Sequence, residues 1–137
     1  MRFVDTNILL YRVSPAPAEK DKAEVASSIL RDRDPCLSVQ VLQEFYVQAT
    51  RESRESPLSH PEATGLIETW KRFSVQPMTL ELMDNALSAK LRWQLSFWDA
   101  AIIEAARLQA CSTLLSEDLT HDQNYGGIQV INPFIDL

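Results

Sequence analysis

Short β-branched or apolar runs alternate along this chain with longer stretches of helical period. The first run is Arg2-Phe3-Val4-Asp5, followed by a short helix through Ile8-Leu9-Leu10-Tyr11. Pro15 and Pro17 mark a loop. Val25, Ala26, Ile29 and Leu30 share one face of a helix predicted over 19–33, which Pro35 stops. Cys36-Leu37-Ser38-Val39 reads as a second strand. Leu42, Phe45, Tyr46 and Ala49 are the apolar stripe of the helix after it, and residues 51–56 read as a solvated helix end or loop.

Ser59 and Glu62 have capping-box spacing and open a helix whose buried face is Ala63, Leu66, Ile67 and Trp70. Ser74-Val75-Gln76-Pro77 is a short strand limited by its proline. Thr79 caps the next helix, predicted to bury Leu80, Met83, Leu87 and Leu91. Another helix starts at Ser96 and runs to about Gln109. Residues 112–116 and 128–131 are the last two strands, with a turn at Gly126-Gly127. The alternation predicts a single α/β domain over 1–137, with a mostly parallel sheet of four or five strands flanked by helices.

Length and composition narrow the chemistry. A chain of 137 residues, 45% of them hydrophobic, can bury a core without a disulfide or metal staple. Only three glycines are present, Gly65, Gly126 and Gly127. That excludes a Walker loop, a dinucleotide fingerprint and a G-x-S-x-G elbow, each of which needs spaced glycines. The net charge of −6 argues against a simple basic patch that binds nucleic acid by counterion release. Cys36 and Cys111 lack metal-ligand spacing and read as small buried hydrophobes of a reducing cytoplasm. No run approaches the roughly 18 apolar residues of a membrane span, and no signal peptide is expected.

Ligands in an open parallel sheet bind beyond the carboxyl ends of the strands. Asp5 ends the first strand, and Glu117-Asp118 follow the strand at 112–116. Glu44 lies on the helix after the second strand, and Asp99 lies in the first turn of the helix opened by Ser96. Each has a plain alternative: Asp5 as a helix cap, Asp99 as half of a capping box, Asp118 as a turn residue, Glu44 as helix surface. Against those stands the placement of Asp99 on one face with Ile102, Ile103 and Ala106, and of Asp5 directly after Phe3-Val4. A carboxylate on an apolar face costs several kcal/mol unless paired or metal-bound. Clustered carboxylates also repel, and a hard divalent cation relieves that. The residue types therefore suit metal-dependent phosphodiester hydrolysis.

These residues resemble those of PIN-domain nucleases, and more narrowly the VapC-like toxin ribonucleases of type II toxin–antitoxin pairs. The matching stretches are Phe3-Val4-Asp5-Thr6-Asn7-Ile8-Leu9-Leu10-Tyr11, Gln43-Glu44-Phe45-Tyr46, Phe97-Trp98-Asp99-Ala100-Ala101-Ile102, Leu115-Ser116-Glu117-Asp118-Leu119 and Val130-Ile131-Asn132-Pro133-Phe134. They span essentially the whole chain in order. The resemblance implies a PIN-like fold and an acidic set of Asp5, Glu44, Asp99 and Asp118 that works with Mg²⁺ or Mn²⁺. It makes Asp5 and Asp99 the direct metal ligands. Glu44 ligates the metal or orients its water, and Asp118 completes the shell or binds a second ion. Thr6, Asn7 and Ser116 match polar residues that line the site. The chain departs from many relatives at Thr120-His121-Asp122-Gln123, where they carry a glycine; Asp122 reads as loop surface, as do His121 and His60.

The resemblance further implies an RNA substrate, a cognate antitoxin protein and a homodimer. Arg12, Arg51, Arg54, Lys71, Arg72, Lys90 and Arg92 are the candidates for tracking phosphates toward the acids. Leu66, Trp70 and Trp93 are apolar bulk that reads first as core and second as contact surface. Three other readings stand beside the ribonuclease. A haloacid-dehalogenase-like phosphatase needs a second Asp two residues after the first, where this chain has Asn7. A DNA-directed nuclease shares the same chemistry. A catalytically silent interaction domain would lack one of the acids, and none is missing. Without the four acids the net charge is about −2, so most of the acidic excess is concentrated in the expected site.

Overall fold

Phe3 and Val4 are completely buried, which places the first strand at the centre of the sheet rather than at an edge. A computed structural model describes residues 1–137. Six strands, β1 (Arg2–Val4), β2 (Pro35–Ser38), β3 (Ser74–Gln76), β4 (Thr113–Leu115), β5 (Asn124–Tyr125) and β6 (Ile128–Ile131), form one sheet in the order β3-β2-β1-β4-β6-β5. All neighbours are parallel except β5, which pairs antiparallel with β6. The sheet thus has one strand more than expected. A two-residue strand carries no readable period, and β5 exists because Gly126 and Gly127, both at positive φ, fold it back onto β6. Pro77 directly follows β3, which is short and limited by its proline as expected, and the strand lies at the sheet edge.

Six helices connect the strands: α1 (Thr6–Arg12), α2 (Lys20–Arg31), α3 (Val39–Ala49), α4 (His60–Trp70), α5 (Leu80–Trp93) and α6 (Phe97–Leu108). A single 3-10 turn, Pro17–Glu19, leads into α2. From β1 the chain steps to β2 and β3, then returns past β1 to β4 and β6. Crossovers running in opposite directions along the sheet divide the helices between its two faces. The contacts follow that division: α1 packs on α2 and α3, and α5 packs on α6, which lies across β2, β4 and β6.

Local signals set the helix starts. Asp5, Ser38, Ser59, Thr79 and Ser96 each cap the helix that follows them, with Ser59 and Glu62 forming a complete capping box. The main core joins the strands to Ile8, Leu9, Phe45, Trp70 and Ile103. Trp70 is therefore core, while Leu66 and Trp93 lie partly buried against it. Cys36 and Cys111 are both buried and free, as expected.

The predicted buried face of α5 is wrong. Leu80 is 76% exposed and Leu91 84%, with Met83 and Leu87 also exposed. The helix buries Leu82, Ala86 and Ala89 instead. Ala86 and Ala89 meet Ala100 and Ala101 of α6 in a small separate cluster. Small side chains let α5 and α6 approach closely, and the bulkier stripe is left on the outside.

Candidate active site

The switch in strand order falls between β1 and β4, and a crevice opens beyond their carboxyl ends. It is a pocket of about 310 Å³. Asp5, Glu44, Asp99 and Asp118 all line it, as do Thr6 and Asn7. Chain segments separated by more than a hundred residues meet there because β1 and β4 are paired, Val4 opposite Leu115.

Asp5 sits at the base of the pocket, 8% exposed. It is the N-cap of α1, Oδ1 accepting from the Thr6 backbone N–H at 2.7 Å. The capping role is thus real but incomplete as an account of this residue. Its Oδ2 accepts from the Ser116 hydroxyl at 2.7 Å and from the Asn7 amide at 3.5 Å. Burial pushes the Asp5 carboxyl up to about 6; the Ser116 and Thr6 hydrogen bonds oppose that, and the charges of Asp118 and Glu44 add to it. Ser116 is completely buried, and its Oγ also accepts from the backbone N–H groups of Asp118 and Leu119. It therefore shapes the turn that carries Asp118. The Asn7 amide nitrogen donates to Asp118 Oδ2 at 3.2 Å.

Glu44 is held from both sides. Its Oε2 accepts from the Thr6 hydroxyl at 2.7 Å and its Oε1 from the Gln40 amide at 2.9 Å. Gln40 also donates to the carbonyl of Trp98 at 3.2 Å, tying α3 to the start of α6. Asp99 differs from the rest. Its backbone N–H donates to the Ser96 hydroxyl at 3.1 Å, but its carboxylate does not return to Ser96 and accepts no hydrogen bond. The capping box is half made, and the carboxylate is left to the pocket.

Sequence reading missed several lining residues. Gln40 precedes Glu44 by four positions, and that spacing puts both on one helix face. Glu117 lines the pocket beside Asp118, but both of its oxygens are taken. The Tyr11 hydroxyl donates to one, and Lys22 Nζ lies 2.6 Å from the other. Burial favours its neutral form, yet the hydrogen bonds from Lys22 and Tyr11 outweigh it and hold the Glu117 carboxyl below its ordinary value. Nothing in the sequence signals this pairing across 95 positions. Asp122 stays outside the pocket, on an exposed loop against His121. His121 and His60 are outside it too; His60 is exposed and meets the Tyr46 hydroxyl.

The donor set is made of hard oxygens, which suits a hard divalent cation. No three His, Cys, Asp or Glu side chains close into a ready-made cage. Mg²⁺ does not need one, since it keeps several waters and takes one or two carboxylates. The buried Asp5, whose charged form is disfavoured by desolvation and by the charges of Asp118 and Glu44, is the electrostatic demand that such an ion satisfies.

Fold and pocket together define an α/β domain with a carboxylate-lined crevice at its strand switch point. The chain belongs to the PIN-domain family: the family model described as PIN domain matches residues 2–126. A search of curated proteins gives no match. Among solved structures, the chain is similar to a toxin–antitoxin complex from Klebsiella pneumoniae, at 18% identity over 98% of each chain with a TM-score of 0.71. It is similar to VapC20 of Mycobacterium tuberculosis, described as a sarcin-ricin loop cleaving toxin, at 20% identity over 86% of this chain and 92% of that one, TM-score 0.67. It is also similar to DNA-bound VapBC of Salmonella typhimurium, at 16% identity over 96% and 97%, TM-score 0.67. No helix is long and apolar enough to cross a membrane.

Proposed function

We propose that this protein is a metal-dependent endoribonuclease and the toxin of a toxin–antitoxin pair, acting in the cytoplasm. The observation that carries the reading is the meeting of Asp5, Glu44, Asp99 and Asp118 in one crevice at the strand switch point. Asp5 and Asp99 are the residues that would hold Mg²⁺ or Mn²⁺ directly. When bound, such an ion activates water and polarises a phosphoryl oxygen. Thr6 and Gln40 fix the rotamer of Glu44, so its carboxylate is presented in one orientation to the ion or to its water. Ser116 and Asn7 hold Asp5 and Asp118 in register across the β1–β4 pair.

Similarity to a sarcin-ricin loop cleaving toxin supports RNA over DNA, and similarity to toxin–antitoxin complexes supports an antitoxin partner. The phosphatase reading is weakened by Asn7, which donates to two carboxylates and supplies no acid. A silent interaction domain is disfavoured because all four acids are present and gathered.

The exposed stripe of α5 supports a homodimer. Leu80, Met83, Leu87 and Leu91 recur at i, i+3, i+7 and i+11, one continuous face. Glu81 and Asp84 flank its first turns, and Arg92 lies on the same flank in the last. Two-fold antiparallel pairing of α5 with a second copy sets acid against base at both ends. The activity is tested by incubating purified protein with single-stranded RNA and matched DNA in Mg²⁺, Mn²⁺ or EDTA. RNA cleavage confined to the divalent-ion samples is expected; equal cleavage in EDTA contradicts the reading.

A further inference from the structure

Of the seven basic residues that could track phosphates, the pocket admits one. Arg54 is the only Lys or Arg among the residues lining it, where it faces six carboxylates including Glu19 and Glu117. Lys71 is paired with Glu68, and Arg72 donates to the carbonyls of Thr69 and Leu30. Arg92 stacks on Trp93 beside a different depression. Arg12, Arg51 and Lys90 do not line the pocket.

Arg54 is half-buried and its guanidinium has no carboxylate within ion-pair distance. Arg2, Lys22 and Arg107 are each paired. A cation placed to neutralise the acids would be paired as they are; this one makes no ion pair with any of them. Its loop is closed at the base by the Leu58 N–H to Ala49 carbonyl bond at 2.8 Å, and the Arg54 N–H donates to the Arg51 carbonyl at 3.0 Å. Arg54 also lines a second, smaller hollow with Ser14, Pro15, Ala16 and the carboxylates Glu19 and Glu55. Arg54 therefore stands where the acid pocket opens into an adjoining groove.

We infer that Arg54 is the substrate-positioning residue of this site, its guanidinium binding a phosphodiester of the RNA that flanks the one cleaved. A polyanion approaching the unpaired carboxylates of this crevice is repelled, and a cation at its mouth offsets that. A guanidinium presents a planar fork that matches phosphate oxygens in a bidentate way. The inference rests on the ribonuclease reading.

The test compares Arg54→Met, which keeps the stem and removes the fork, with Arg54→Lys, which keeps the charge. Binding of a short fluorescein-labelled single-stranded RNA is followed by anisotropy at several salt concentrations, in an Asp99→Asn background that preserves the probe. Arg54→Met is expected to weaken binding for every RNA sequence and to lower the slope of log K against log salt by about 0.7, the loss of one single-strand phosphate contact. Arg54→Lys is expected to retain the slope. In the active protein, Arg54→Met is expected to raise KM with kcat unchanged, the mark of uniform binding. Unchanged affinity and slope in Arg54→Met overturn the assignment. So does unchanged RNA binding with weakened antitoxin binding, which gives Arg54 to a protein carboxylate. Absence of RNA cleavage by the wild-type protein overturns the ribonuclease reading itself, a result separate from either.

Discussion

The Ser116 hydroxyl donates to Asp5 Oδ2 at 2.7 Å in a buried site, joining the end of β4 to the end of β1. The same oxygen accepts from the N–H groups of Asp118 and Leu119. One small side chain thus orients one site carboxylate and the backbone that carries another. Ser116→Ala removes the donor to Asp5 and leaves two N–H groups without their acceptor. Destabilisation of about 1–3 kcal/mol is expected in urea unfolding. Weaker Mn²⁺ binding by calorimetry is expected alongside it.

Asp5 gives a pH dependence of defined sign. Its folded carboxyl titrates at about 6 against an ordinary value of 3.8, so the folded chain binds this proton more tightly than the unfolded chain. Its contribution to stability is full below about pH 4 and is lost as the pH rises to about 6 and beyond. Asp5→Asn, which still caps α1, removes the loss. Without divalent ions the variant is expected to be more stable than wild type at pH 7, by up to about 3 kcal/mol. The gap should close toward pH 4, as read from urea midpoints. Added Mn²⁺ should stabilise the wild type and leave Asp5→Asn little changed. A wild type that is the more stable at pH 7 without divalent ions would contradict the account.

Much of this site was legible in the sequence because its acids sit at junctions with strong local signals. Asp5 and Asp118 follow apolar strands, and Asp99 follows a Ser cap, so topology alone brings them to one rim. The supporting shell was less legible. Gln40 shares a helix face with Glu44, but a glutamine at that spacing looks like helix surface; only the fold shows it buried. The Lys22–Glu117 pair joins α2 to the end of β4 and has no local trace. The face of α5 was misread for a physical reason. Periodicity selects the larger hydrophobes, whereas the close α5–α6 contact is made through Ala86, Ala89, Ala100 and Ala101.

Glu44 depends on two neutral donors. Gln40→Met keeps the bulk of the side chain but frees one oxygen of Glu44 and breaks the link to the Trp98 carbonyl. Thr6→Val frees the other. Each is expected to lower kcat about tenfold or more, since small misplacements at a reacting centre are costly. Single-turnover RNA cleavage measures this, and rates equal to wild type in both variants would deny Glu44 a fixed orientation.

The α5 stripe supplies a test of assembly. Leu91→Glu changes a residue that is 84% exposed, so a monomer should tolerate it within about 0.5 kcal/mol. Light scattering after size exclusion is expected to show a dimer for wild type and a monomer for Leu91→Glu. A dimer that survives this substitution assembles through another surface.

Asp99 offers the most direct test of the central claim, because its carboxylate accepts no hydrogen bond from the fold. Asp99→Asn should leave the midpoint of urea unfolding unchanged while abolishing both Mn²⁺ binding and Mn²⁺-dependent RNA cleavage, measured on the same preparation. An Asp99→Asn protein that folds normally, binds Mn²⁺ as wild type and cleaves RNA at the wild-type rate would contradict the account.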